Sequence, residues 1–259
     1  MKILHTICAI GFLFVPLCGN AAYGESVNHG SFSGAHFQFN NVVEDSDTDP
    51  LPLFGPPTLL VDQLLFNPTS FDSISNSAIP SDITDSQIRM TIVANPGSGI
   101  GAIHLQESGD YTLIGPPTVS DAGAMVAASV FVRIQRVNGV PLETTITRSV
   151  NMEFDAPNNG VFQMSQDGIA AGKIYQGWLN IDLDEILAEM DHVGVATEVE
   201  LTWDNTLTTW SVGGASALIK KKDFQTAFSV IPSIPEPASL LLGFGVLVGL
   251  LGGRRFRRS

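Results

Sequence analysis

The stretch Val130-Phe131-Val132-Arg133-Ile134-Gln135-Arg136-Val137-Asn138-Gly139 decides the fold. In an extended chain Val130, Val132 and Ile134 fall on one side and Arg133 and Gln135 on the other, whereas Phe131, Ile134 and Val137 do not all share one face. That period of two marks a half-buried strand. Asn138-Gly139 then supplies the pair of residues that a tight hairpin turn demands.

Working outward, the same texture of Val, Ile, Thr and Phe, broken by Gly, Pro, Asn and Asp, runs from Ala35 to Ile231. Strands are expected over His36 to Val43, Thr58 to Phe66, Gln87 to Ala94, Ile100 to Glu107, Ala124 to Val137, Glu143 to Phe154, Gly177 to Leu183, Glu198 to Asp204 and Phe224 to Ile231. With turns at Asn138-Gly139, Asn158-Asn159-Gly160 and Asp167-Gly168, this spacing predicts an all-β domain, an antiparallel jelly-roll-like β-sandwich. One short helix is expected at Asp184 to Met190, with Asp182 as its cap and Glu185 in its first turn. Leu53-Phe54-Gly55-Pro56-Pro57-Thr58-Leu59 is echoed by Leu113-Ile114-Gly115-Pro116-Pro117-Thr118-Val119. Flanking residues do not continue the match, so paired prolines mark strand edges here rather than a repeat.

The 259 residues carry a formal charge of −13, but unevenly. Five of the 13 basic side chains (Lys2, Arg254, Arg255, Arg257 and Arg258) stand at the two ends. Between Tyr23 and Pro235 this leaves eight against 25 of the 26 acids, a charge of −17. Nucleic acid is therefore excluded as a partner, because phosphate recognition needs a concentrated basic surface and Lys220-Lys221-Lys222 is the one local run. Both cysteines, Cys8 and Cys18, lie in the first 22 residues. Those residues open on Lys2, continue through an apolar core from Ile3 to Leu17 and close on Gly19, Asn20, Ala21 and Ala22, the pattern of a signal peptide read by the Sec translocon and signal peptidase. Its removal leaves a chain with no disulfide, no cysteine zinc site and no thiol nucleophile, which must be held together by its core.

The other end reads Pro235-Glu236-Pro237, an uncharged stretch from Ala238 to Gly253, then Arg254-Arg255-Phe256-Arg257-Arg258. Sixteen helical residues reach about 24 Å against about 30 Å of hydrocarbon, a marginal span with its arginines on the cytoplasmic side. The prolines hold Glu236 extended, the conformation proteases bind. This three-part tail resembles the PEP-CTERM sorting signal. The resemblance implies an exosortase as partner, an inner-membrane intermediate, cleavage near the Pro-Glu-Pro site, and release or attachment at the cell surface in bacteria that build exopolysaccharide or biofilm matrix. The expected layout is a signal peptide at 1–22, an acidic sandwich at 23–231 and a sorting signal at 232–259. The body itself, through Asp49-Pro50-Leu51-Pro52-Leu53-Phe54-Gly55, Glu107-Ser108-Gly109-Asp110-Tyr111, Asp204-Asn205-Thr206-Leu207 and Lys221-Lys222-Asp223-Phe224, resembles uncharacterised β-rich domains that accompany this tail.

Signals for chemistry are sparse. Glu44-Asp45-Ser46-Asp47-Thr48-Asp49 alternates carboxylates, so Asp45, Asp47 and Asp49 are the candidate ligands for Ca2+, with a solvated loop as the competing reading. A helix-loop-helix calcium loop is excluded, because Pro50 occupies its glycine position. Asp182, Asp184, Glu185, Glu189 and Asp191 read as an exposed acidic face. His29, His36, His104 and His192 have no metal-site spacing. Asn95-Pro96-Gly97-Ser98-Gly99 matches neither a serine elbow nor a phosphate loop. A glycoside hydrolase needs two carboxylates, a condition that 25 acids meet trivially. Tyr111, Tyr175 and Trp210 are candidates for stacking on an exopolysaccharide, with core burial the stronger account of Trp178 and Trp203. The sequence thus leads to an exported, non-enzymatic surface or matrix protein without a cofactor, with a carbohydrate-binding module as the alternative.

Overall fold

The Asn138-Gly139 turn is a hairpin turn with φ of 52° and 77° at its two residues, both in the left-handed region that this sequence pair tolerates. The computed structural model describes residues 24–116, 120–155, 159–222 and 227–233. The expected signal peptide and the tail from 234 onward, including Pro235, Glu236, Pro237, Arg254, Arg255, Arg257 and Arg258, lie outside the described residues. Among the described residues no helix is long and apolar enough to cross a membrane.

In chain order the strands are β1 (Glu25–Ser33), β2 (Phe37–Ser46), β3 (Thr58–Leu60), β4 (Gln63–Leu65), β5 (Asp72–Ser75), β6 (Ser81–Ala94), β7 (Gly99–Ile114) and β8 (Asp121–Val137). There follow β9 (Val140–Asn151), β10 (Glu153–Phe154), β11 (Val161–Gln163), the single-turn α1 (Met164–Asp167), β12 (Ala170–Asp182), α2 (Leu183–Glu189), β13 (Ala196–Val212), β14 (Ser216–Lys221) and β15 (Ala227–Ser233). Every pairing is antiparallel. One layer runs β1-β2-β6-β13-β8-β9, with β11 beside the start of β8. The other centres on β7, which pairs with β12 along one side. Along its other side β7 pairs first with β15, which carries β4 and β3, and then with β14, which carries β5. A single bridge from Ala196 to Ile100 joins the layers into a nearly closed sandwich. The all-β expectation holds.

The core lies between the layers. On β13 Val199, Leu201, Trp203 and Leu207 point inward, opposite Ile103, Leu105, Tyr111 and Leu113 of β7. Phe54, Phe66, Phe71 and Trp203 form an aromatic cluster with centroids 4.9 to 6.0 Å apart, mostly edge to face. As expected, α2 is capped by Asp182, whose carboxylate accepts from the Glu185 amide at 2.9 Å. Its Leu183, Ile186 and Leu187 dock on the sandwich.

Two of the differences from expectation have a common cause. β6 starts at Ser81 rather than Gln87, and β13 runs on past Asp204 to Val212. In those extensions the inward positions are Thr84, Ser86, Asn205, Thr209 and Ser211 rather than aliphatic residues. The hydroxyls of Thr84, Ser86 and Thr209 find partners there: Thr84 Oγ1 donates to the Asp72 carbonyl at 2.7 Å, Ser86 Oγ to the Asp45 carbonyl at 3.1 Å, and Thr209 Oγ1 lies 3.0 Å from Ser73 Oγ. The expected Thr58 to Phe66 strand is instead the pair β3 and β4, which reverses around Val61 at φ 59°.

Candidate functional site

The acidic segment of β2 is structural. Glu44 points inward and is fully buried. Its Oε1 accepts from the backbone amides of Leu53 and Phe54 at 2.6 and 2.7 Å, and its Oε2 meets His29 Nε2 at 2.9 Å. The carboxylate thereby ties the proline-rich loop to β2. Asp45 faces out and pairs with Arg89 at 2.7 Å. Asp47 and Asp49 lie past the end of β2 in the turn held by Ser46 Oγ, and with Asp45 they form no group placed to hold Ca2+. No group of three or more His, Cys, Asp or Glu is placed to hold a metal ion among the described residues.

The expected aromatic platform is also dispersed. Tyr111 is buried, its ring stacked on Phe162 with centroids 3.9 Å apart and an interplanar angle of 12°. Tyr175 is fully buried, and desolvation, then the Glu107 and Asp110 carboxylates, push its phenol well above its usual range. Both are core residues and cannot stack on a ligand. Trp210 is half-buried on the outer face of the other layer, where its indole lies over Gly123 so closely that a Cβ there would collide with it.

The tryptophan that does face out is Trp178, 48% exposed on β12. Register builds a ladder around it. One rung across the layer is Asn180, His104, Ser229 and Gln63, directly opposed on β12, β7, β15 and β4. The next pairs Trp178 with Gln106 on β7, with Glu153 of β10 on its other side. Gln63 Nε2 donates to Ser229 Oγ at 3.3 Å, so that rung is already linked. Gln63, His104, Gln106, Trp178, Asn180 and Ser229 line a hollow of 270 Å³. A second hollow of 350 Å³ continues along the same two strands, between Ser108, Asp110, Ile174, Gln176 and Lys222. From Asn180 to Ile174 the two together follow seven residues of β12, about 20 Å of strand. Lys222 Nζ and the Asp110 carboxylate neutralise each other there at 2.9 Å.

Across the sandwich, a hollow of 300 Å³ lies against Ser129, Asn151, Asp204 and Thr206. Burial, then the neighbouring Asp85 carboxylate, raises the Asp204 carboxyl above its usual range, while Thr206 Oγ1 bonds Asp85 at 2.7 Å. This face is acidic and has no exposed tryptophan among the residues lining it.

Residue type alone places Trp178 in the core, and parity is the signal that turns it outward. In Tyr175-Gln176-Gly177-Trp178-Leu179-Asn180-Ile181 the indole shares its side with Gln176 and Asn180, and the buried tyrosine shares its side with Leu179 and Ile181.

No protein-family model matches the chain, and no curated protein matches it. Among solved structures it is similar to TmCBM61 in complex with β-1,4-galactotriose, at 8% identity and a TM-score of 0.22, over 62% of this chain and 88% of that one. It is similar to the enzymatically active domain of bacteriophage CBA120 tailspike protein 4, at 8% identity and 0.21, over 82% of this chain but 20% of the other. The family 11 xylanase from Neocallimastix patriciarum aligns at 11% identity and 0.21, over 82% of this chain and all of that one. TM-scores of 0.21 and 0.22 are too low to establish a shared fold, and the functional reading rests on the geometry above.

Proposed function

We propose that the sandwich binds a neutral polysaccharide along the outer face of β12, β7, β15 and β4, and that the chain is an exported, non-enzymatic surface or matrix protein. One observation carries the binding reading. On a body with a charge of −17, the rungs around its exposed tryptophan present His104, Gln106, Asn180, Ser229 and Gln63, with Glu153 of β10 as the one acid in them. Amides, an imidazole and a hydroxyl both donate and accept, as sugar hydroxyls require, and the flat indole covers the C–H face of a pyranose ring. The groove follows the strands as an open channel, the shape that admits a chain rather than a monosaccharide.

Hydrolysis finds no support in these rungs, since Glu153 is their one carboxylate and a glycosidase needs two. Export and sorting are supported by the Lys2-led apolar segment and the tail with Pro235, Glu236, Pro237, Arg254, Arg255, Arg257 and Arg258. In this reading the Sec translocon, signal peptidase and an exosortase act in turn, and the sandwich then holds exopolysaccharide at the cell surface. Affinity electrophoresis in gels containing neutral polysaccharides tests the binding. Retardation by at least one of them, lost in Trp178→Ala, is expected; wild-type mobility unchanged in every gel would sink the proposal. Mass spectrometry of the surface form tests the sorting, and a mature C-terminus at Ser259 would overturn it.

A further inference from the structure

Inside the sandwich, directly beneath the outer face, lies a polar group that the binding reading does not use. Lys221 of β14 and Glu107 of β7 are both fully buried, with side-chain exposures of 0% and 0%. Lys221 Nζ stands 2.6 Å from Glu107 Oε1, yet off the line of a hydrogen bond. The other oxygen, Glu107 Oε2, accepts from Asn205 Nδ2 of β13 at 2.5 Å. The Asn205 carbonyl oxygen is buried without a partner, as is the indole N–H of Trp203 two residues away. Phe71 closes the lysine end, its ring centroid 5.4 Å from Nζ. One carboxyl group therefore bridges an amine and a carboxamide in a dry aromatic pocket.

As a mere ion pair this arrangement is poor. Taking an ammonium and a carboxylate out of water carries a heavy desolvation penalty, which is offset only when the remaining donors and acceptors are all satisfied. Here they are not. As a set of reactants it is complete: a lysine deprived of water is a nucleophile, a carboxyl within reach of both partners is a proton shuttle, and the strands hold all three in place.

We propose that Lys221 and Asn205 are joined by an isopeptide bond, formed within the folded chain with Glu107 as its general acid and base. The proton on Nζ passes to Glu107 Oε1, leaving a neutral amine. Desolvation favours this direction, since burial pushes the Lys221 ammonium below its usual range against the pull of Glu107. The Nζ lone pair attacks Cγ of Asn205, and a second proton moves from Nζ through Glu107 to Nδ2. The Cγ–Nδ2 bond then breaks. Nitrogen leaves as ammonia, takes the first proton and departs as ammonium, and Glu107 returns to the carboxylate. Nothing is oxidised or reduced and no further reactant is needed. The bond would run from β14 in one layer to β13 in the other, a covalent link between the sheets in a body that has no cysteine beyond Cys18.

Peptide mapping of the purified full chain tests this. After denaturation and trypsin, an unmodified chain yields the peptide Ile174 to Lys220, cut free at both ends. The linked chain yields this peptide with Lys221-Lys222 as a branch on Asn205, lighter than the two parts by one ammonia, about 17 Da. Trypsin does not cleave after the modified Lys221. Glu107→Gln should abolish the branch, and Asn205→Asp should restore it with loss of water in place of ammonia, about 18 Da. A wild-type digest in which Ile174 to Lys220 appears unbranched, with Lys221 acetylated on its side chain when the denatured chain is treated with anhydride, overturns the proposal whether or not the variants fold. The result is independent of the polysaccharide reading, since it requires no ligand.

Discussion

Replacing Trp178 by Ala removes the exposed aromatic surface of the groove and little else. Aromatic side chains present about 150–250 Å², so 48% exposure leaves roughly 70–120 Å² in water. A sugar ring lies on one face of the indole and covers about half of that. At about 25 cal/mol per Å² the burial contributes on the order of 1–1.5 kcal/mol, and a stacking geometry adds a few tenths. The expected loss is therefore about 1–2 kcal/mol, a fall in affinity of roughly 5- to 30-fold. Folding stability should stay within about 0.5 kcal/mol of wild type, because Trp178 points away from the core. Calorimetric titration against the polysaccharide that retards the wild type reads the first quantity, and urea unfolding reads the second. An affinity within twofold of wild type would refute the assignment of Trp178. A stability loss comparable to that of a core substitution would refute its orientation.

Three further outcomes follow from other parts of the molecule. Glu44→Ala leaves the buried amides of Leu53 and Phe54 without an acceptor, and at about 1–3 kcal/mol each should lower stability by about 2–6 kcal/mol in urea melts; a loss under about 1 kcal/mol would show that water replaces the carboxylate. Gly109→Ala drives a methyl against the Lys220 carbonyl and the Tyr175 ring, backbone and core that cannot move aside, and should cost about 1–3 kcal/mol. Asp204 is held above the usual carboxylate range by burial and then by Asp85, so its contribution is favourable below the unfolded value and lost as pH rises through the native one. Asp204→Asn should accordingly raise Tm at neutral pH, with the gain fading as pH falls through the carboxylate range; a gain that persists in acid would point to a cause other than ionisation.

The β8 hairpin, the α2 cap and the all-β class were legible because each is a local matter: alternation, a turn pair, an Asp ahead of an apolar turn. The lengths of β6 and β13 were not, because their inward residues at one end are Thr84, Ser86, Asn205, Thr209 and Ser211, which carry no apolar mark. The candidate site was missed for a different reason. Aromatic identity does not say which side of a strand a ring occupies, and only the opposed parities of Tyr175 and Trp178 separate the core from the groove. Glu44 stands in an acidic run that reads as solvated, yet it alone of that run's carboxylates turns fully into the interior, where backbone amides from a loop distant by nine and ten residues await it. No local pattern announces such a partner.

The two halves of the functional reading meet on one strand. β7 carries His104 and Gln106 on its outward parity and Glu107 on its inward one. It is hydrogen-bonded on both sides along most of its length, to β12 on one and to β15 and β14 on the other. Side chains that stand on such a strand lose little freedom when a ligand arrives, which lowers the ordering cost of binding. A covalent link from Lys221 to Asn205 would act on this scaffold from beneath, since β14 is the neighbour that supports the Ser108 and Asp110 end of the groove. The consequence is directional. Loss of the link through Glu107→Gln should weaken binding of long chains that reach the second hollow more than binding of short ones confined to Trp178, His104 and Asn180. Equal weakening of both would mean that the interior group stabilises the sandwich as a whole and does nothing particular for the groove.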